Sequence, residues 1–288
     1  MIAATRDFVG RRYALDFRPT VATGARARLD RVGEMTISRL TQFQTLQNGL
    51  PTVLPPDLRI YAIGDIHGRA DLLDALARRI EDEIASAPVE VLTIFLGDYV
   101  DRGLQSSTVV EWLSRGDFPT PFHALRGNHE EILLRFLEDD SVLEGWRKFG
   151  GVETLHSYGV DVSSVMRGKG YEEARRALAA RFPDHHRKFI SETPLTANYG
   201  DYFFCHAGAK PGVPLDQQRA EDLLWIREEF LNFRGAWEKM IVHGHTPVSE
   251  PDIQPNRINV DTGAFATSVL TAVVLEGDSR RMLFAGHV

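Results

Sequence analysis

The chain has 288 residues, 43% hydrophobic and 25% charged, enough to bury a sizeable core in one large α/β domain or two small ones. A net charge of −7 and a pI near 5.8 speak against a general nucleic-acid binder, and no apolar run is long enough to span a bilayer. The single cysteine, Cys205, excludes an intrachain disulfide framework; with no signal-peptide h-region at the start, a cytoplasmic protein is expected.

Charge is uneven along the chain. Residues 1–51 hold eight arginines against four acidic residues, which leaves −11 for the remainder. This stretch reads as an Arg-rich N-terminal extension, loosely ordered, with a short helix near "MTISRLTQFQTL". "LPTVLPPD" reads as the linker into a single folded domain over 52–288. From there strand-like and helix-like runs alternate. "RIYAIG" precedes the helical "ADLLDALARRIEDEIA", "EVLTIFLG" precedes "SSTVVEWLSR", and "PFHALRG" precedes "HEEILLRFLED". A mostly helical stretch over about 140–195, including "YEEARRALAARF", carries no obvious chemistry. Then come "YFFCHAG", the helical "AEDLLWIREEFLNF", "KMIVHG", "RINVDTG" and "SVLTAVVLE". The late cluster of strands predicts a second sheet. The expected fold is α/β, a sandwich of two mixed β-sheets flanked by helices.

Polar residues gather where these strands end. The first ends in Asp65 and His67, the second in Asp98, Asp101 and Arg102, and the third in Arg126, Asn128, His129 and Glu130. Two later strands end in His206 and in the pair His243 and His245. Ligands of open α/β sheets collect outside the carboxyl ends of strands, and five such ends delivering Asp, Asn or His make chance a poor explanation. Two aspartates, one asparagine and three histidines form a mixed O/N donor set. Such a set suits Mn, Fe or Zn better than Mg or Ca. Six ligands are too many for one ion with an open position, but they fit two ions sharing a bridging carboxylate.

"GDIHG", "GDYVDRG", "RGNHE", "CHAG" and "GHT", in this order and approximate spacing, resemble the PPP-type metallophosphoesterases, and "LLWIREEFL" and "HAGAKPGVPL" resemble the bacterial serine/threonine protein phosphatase branch. The likeness covers residues 60 to about 265, and the first three blocks are the most specific. It implies a calcineurin-like catalytic domain over 52–288, with no counterpart for the extension. It also implies two divalent ions, Mn2+ first among them: Asp65 and His67 on one, Asn128, His206 and His245 on the other, and Asp98 between them. His129 becomes the general acid, oriented by Asp101, and Arg102 and Arg227 clamp the phosphate. His243 becomes a packing neighbour, and the role of Arg126 stays open.

The activity so implied is removal of phosphate from phosphoserine or phosphothreonine proteins by a metal-bound hydroxide. A dinucleoside tetraphosphatase of the same fold is the alternative, with a small phosphate ester as substrate. An inactive phosphate-binding module comes last, because no ligand or acid is missing. Asp101 weighs toward the first reading, since the dinucleotide-type pattern typically replaces it. No nucleic-acid or membrane partner is expected. Cys205, Trp112, Trp146, Trp225 and Trp237 read as core residues, and the His185–His186 pair as surface.

Overall fold

In β1 (Leu58–Ile63) alternate side chains are apolar on both faces, so the strand must be covered on both. The computed structural model describes residues 52–286 apart from 86, 88 and 89, and it provides that cover. The extension read over residues 1–51 lies outside the described residues.

Three strand–helix pairs open the domain: β1 and α1 (Ala70–Ile84), β2 (Glu90–Phe95) and α2 (Ser106–Arg115), and β3 (Phe122–Ala124) and α3 (Asn128–Glu138). The segment between α3 and the second sheet is helical throughout, with α4 (Leu143–Trp146), α5 (Gly151–Ser157), α6 (Ser163–Met166), α7 (Tyr171–Arg181) and α8 (Asp184–Glu192). There follow β4 (Thr196–Tyr199), β5 (Tyr202–Cys205), α9 (Ala220–Trp225), α10 (Glu228–Leu231), β6 (Met240–His243), β7 (Asp252–Gln254) and β8 (Arg257–Asn259). The described chain closes with α11 (Ala264–Thr267), β9 (Val269–Glu276) and β10 (Ser279–Gly286).

These strands form two mixed five-stranded sheets, ordered β10-β9-β1-β2-β3 and β4-β5-β6-β8-β7. β1, β2 and β3 run parallel in the first sheet, and β5, β6 and β8 in the second. The fold is the expected α/β sandwich. Ile60, Ala62, Ile94 and Leu96 of the first sheet meet Tyr202, Phe204, Met240 and Val242 of the second in the central layer. One residue along, Tyr61 and Ile63 pack outward against Leu73, Leu76 and Ile80 of α1, while Phe203, Cys205 and Ile241 pack against Leu223 and Phe230. The period-two alternation of the strands thus builds three layers of apolar contact from one set of sequences.

Three features depart from the sequence reading. The long apolar strand β9 belongs to the first sheet, antiparallel to β1. It is buried on both faces from Leu270 to Leu275, so it needs a central place between covered faces. The edge strands β4, β7 and β10 lack the apolar signal of central strands, because an edge is only partly covered. Finally, the helix read through "AEDLLWIREEFLNF" is two short helices. Ile226 is extended (ψ 143°) and Arg227 is non-helical (φ −134°, ψ −99°), so the chain turns between them.

Candidate active site

Six parallel strands from two sheets aim their carboxyl ends at one place. Asp65 lies two residues beyond β1, Asp98 three beyond β2, Asn128 four beyond β3, His206 one beyond β5 and His245 two beyond β6. The sixth end, two residues beyond β8, delivers Asp261. All of these side chains are buried, although five of the six residues are ionisable acids or imidazoles drawn from opposite sheets.

The loops that carry them are tightly bent. Among the described residues, non-glycine residues with positive φ include His67 (46°), Asp98 (55°), Asp101 (74°), Arg102 (67°) and His245 (67°). Such conformations cost about 1–3 kcal/mol each and persist only where the surroundings enforce them. Here the functional residues themselves take the left-handed conformation, and glycines make room. A Cβ on Gly127 would stand 2.1 Å from Asp98 Oδ1, and one on Gly244 2.1 Å from Asp65 Oδ1. The motif glycines at these two positions therefore serve close approach.

Hydrogen bonds settle which imidazole nitrogens face inward. His67 Nδ1 lies 2.8 Å from the Val100 carbonyl, and His206 Nδ1 lies 2.9 Å from that of Leu96. A carbonyl only accepts, so both Nδ1 atoms carry the proton and both Nε2 atoms present a lone pair. His67 Nε2 has no hydrogen-bond partner, yet it lies 3.5 Å from Asp98 Oδ2 and 4.0 Å from Asp65 Oδ2. His206 Nε2 lies 2.8 Å from Asn128 Oδ1, 3.1 Å from His245 Nδ1 and 3.4 Å from Asp98 Oδ1. His245 Nδ1 is in turn 2.8 Å from Asn128 Oδ1. Electron-pair donors thus converge from two sides on Asp98. Burial keeps His67, His206 and His245 neutral by lowering their pKa values. Burial, then Asp261 and Asp98, push the Asp65 carboxyl well up. Buried carboxylates and inward lone pairs repel one another unless a cation lies among them, so this donor set fits divalent metal ions. By distance the ligating atoms form two trios, His67, Asp98 and His129 on one side and Asp98, His206 and His245 on the other, so Asp98, with one oxygen toward each, is the residue both share.

His129 belongs to the first trio by distance, but its other contacts set it apart. Its Nε2 is 3.7 Å from Asp98 Oδ2 and 3.3 Å from an Arg102 guanidinium nitrogen, while its Nδ1 is 2.5 Å from Asp101 Oδ2. Burial opposes charge on this ring, but Asp98 and the Asp101 hydrogen bond outweigh it and raise the pKa. Asp101 is itself fully buried and held by the mostly helical segment that shows no obvious chemistry in the sequence. Trp146 Nε1 donates to Asp101 Oδ2 at 2.6 Å, and Thr154 Oγ1 donates to Oδ1 at 2.5 Å. Trp146 is therefore more than a core aromatic, and the stretch 140–195 does serve the site. Glu130, quoted in the sequence motif without a role, accepts backbone N–H groups from Gly127 (2.9 Å), Asp98 (2.8 Å), Tyr99 (2.7 Å) and Val100 (3.2 Å). It fixes the loop that carries Asp98.

The arginines divide. Arg102 lies at the site, and Arg227, freed by the break between α9 and α10, reaches Thr246 Oγ1 at 3.3 Å next to His245. Arg126 turns away: it donates to the Ser191 carbonyl at 2.7 Å and pairs with Glu131 at 3.3 Å. His243 packs against Phe230 and is pushed down to about 3 by burial, outside both donor groups. Cys205 is a core residue whose thiol pKa burial raises. His186, read as surface, is 2% exposed.

Two residues escaped the sequence reading. Asp261 has an oxygen, Oδ2, without a hydrogen-bond partner, and burial pushes its carboxyl up to about 6. The strand-like "RINVDTG" carries this aspartate two residues beyond β8, as the other five strand ends carry theirs. Phe265, 38% exposed, lies edge-on to His67 at 5.5 Å, with the Arg102 guanidinium 4.6 Å from its ring centre. Nothing in the sequence singles it out, since only the turn at α11 brings it to the site.

Residues 58–288 match the calcineurin-like phosphoesterases. The chain belongs to that family. It is a hydrolase of phosphoester bonds, and phosphoesterases of this family work with a pair of divalent metal ions, for which the donor groups around Asp98 are candidates. The chain is 25% identical over 233 residues to the asymmetrical bis(5'-nucleosyl)-tetraphosphatase PrpE of Anoxybacillus flavithermus, spanning 73% of this chain and 88% of that one. Its likeness to the Bacillus subtilis protein of the same name is 26% over 232 residues, 73% and 87% of the two chains. Among solved structures, a protein provisionally described as a diadenosine tetraphosphatase superposes with a TM-score of 0.56 at 21% identity, covering 82% of this chain and 98% of its own. A mutant cold-active protein tyrosine phosphatase gives 0.51 at 17%, covering 81% and 83%. Both superpositions show a shared fold. No described helix is long and apolar enough to cross a membrane.

Proposed function

We propose that this phosphoesterase hydrolyses dinucleoside tetraphosphates asymmetrically, one P–O–P bond and one water giving a nucleoside triphosphate and a nucleoside monophosphate. The observation that carries this reading is the activity for which relatives are named that align over 73% of the chain and 88% of their own length. In the proposed site Asp65, His67 and Asp98 hold one ion, and Asp98, Asn128, His206 and His245 the other. The N/O donors suit Mn2+, with Fe and Zn as further options. When bound, such ions neutralise phosphoryl oxygens and bring the pKa of water to about 7. Arg102 and Arg227 bind the remaining phosphate oxygens. His129 carries a proton toward the leaving oxygen on Nε2, with Asp101 fixing the ring through Nδ1. Phe265 offers its exposed face to a nucleobase. A nucleotide substrate is consistent with a cytoplasmic enzyme.

Asp101 weighs less against this reading in the folded chain than in the sequence. It anchors Trp146 and Thr154 as well as His129, so a structural reason to retain it exists whatever the leaving group. A second reading, hydrolysis of phosphoserine or phosphothreonine in proteins, draws on the 2.5 Å Asp101–His129 contact, because an alkoxide leaving group needs a well-oriented acid. The two are separated by kcat/KM on diadenosine tetraphosphate and on phosphopeptides with Mn2+, with products identified. ATP plus AMP at the higher kcat/KM is expected; a phosphopeptide preference, or two ADP, would overturn the first reading.

Phe265→Ala gives a sharper test of substrate. Base–aromatic stacking is worth about 1–3 kcal/mol, so KM for diadenosine tetraphosphate should rise roughly 5- to 150-fold. A phosphoserine peptide should be little affected. Equal losses on both would place Phe265 in support of His67 and Arg102 rather than against a base.

A further inference from the structure

Outside the centre around Asp98, one other group of three metal-ligating side chains occurs among the described residues: Glu111 of α2 with His185 and His186 of α8. Both imidazole Nε2 atoms point at a single carboxylate oxygen. Glu111 Oε2 is 2.8 Å from His185 Nε2 and 2.7 Å from His186 Nε2, and the two rings stand edge to face at 4.5 Å. Adjacent residues on a helix project about 100° apart, so two neighbours meeting at one atom is not what helical geometry supplies by default.

The surroundings are those of a metal ligand set. The other carboxylate oxygen, Oε1, is taken by Arg115, which leaves Oε2 free to face the histidines. His186 Nδ1 is 2.9 Å from the Tyr158 hydroxyl. That hydroxyl both donates and accepts, so His186 can carry its proton on Nε2 against the carboxylate, or on Nδ1 with Nε2 free for an ion. A second nitrogen anchored in this way orients a ligating histidine. His186 is buried against Phe182 and Tyr158, whereas the side chains of Glu111 (37%) and His185 (45%) are partly exposed and leave a path for entry. Beside them a depression of about 390 Å³ is lined by Ser114, Arg115, Asp117 and His185.

We propose that Glu111, His185 and His186 form a separate binding site for a transition-metal cation of the Zn2+ class, with solvent completing its coordination. Two neutral imidazoles and one carboxylate are a zinc donor set. Tetrahedral ligand atoms stand about 3.3 Å apart at zinc distances, so the present contacts need to open by about half an ångström. An ion there ties α2 to α8, whose last residues hold Arg126 beside the Asn128 loop. It touches none of the residues around Asp98.

The test is zinc stoichiometry by elemental analysis after equilibrium dialysis of the full chain. Wild type is expected to hold one equivalent more than His185→Ala or Glu111→Gln, with Mn2+-supported hydrolysis of an aryl phosphate unchanged in both variants. Equal zinc in all three would overturn the site. A second measurement needs no variant. In wild type, Zn2+ should protect His185 from diethyl pyrocarbonate, read by mass spectrometry of the peptide, and Mg2+ should not. Unprotected His185 at saturating zinc would overturn the proposal equally.

Discussion

Asp98→Asn is expected to lower bound manganese from about two equivalents toward none and to cut turnover by more than about 10³-fold. One oxygen of Asp98 lies 3.5 Å from His67 Nε2 and the other 3.4 Å from His206 Nε2, so the carboxylate serves both donor groups. An amide keeps the shape and removes the charge, leaving each group one anionic donor short. Manganese is used as the probe because its affinity for N/O sites is lower than that of zinc, which limits binding at the Glu111 cluster. The variant should stay folded by circular dichroism. One tight equivalent surviving in it would mean that Asp98 serves one ion only.

His129→Asn is expected to leave manganese bound and to slow turnover by roughly 10²–10⁴-fold on a phosphoserine peptide. The loss should be smaller on an aryl phosphate or on diadenosine tetraphosphate, whose leaving groups need little protonation. The geometry behind this is the imidazole held at Nδ1 by Asp101 at 2.5 Å, with Nε2 toward Arg102 and Asp98. Equal losses across leaving groups would remove His129 from the acid role. Loss of metal would instead make it a ligand, which its 3.7 Å separation from Asp98 Oδ2 leaves room to test.

The sequence alone was enough for the sandwich and for five of the six converging strand ends. Central strands buried on both faces are written as unbroken apolar runs, and the residue that follows each run is forced to its carboxyl end, so "GDIHG", "GDYVDRG" and "RGNHE" declare both position and chemistry. Between His245 and His243 only the resemblance chooses; in the structure His245 joins Asn128 and His206 while His243 packs on Phe230. What remained for the tertiary structure were contacts between residues far apart in the chain. Trp146 and Thr154 reach Asp101 across separations of 45 and 53 residues, and no local period encodes such a meeting. Arg227 was read on a helix because its neighbours are helix formers, yet it sits at a break that lets it reach Thr246. Phe265 gains meaning only from the α11 turn that sets it against His67 and Arg102, and the Glu111–His185–His186 cluster exists only because α8 packs on α2. Local sequence dictates where a side chain stands along its own strand or helix; which others it meets is decided by the packing of elements distant in sequence.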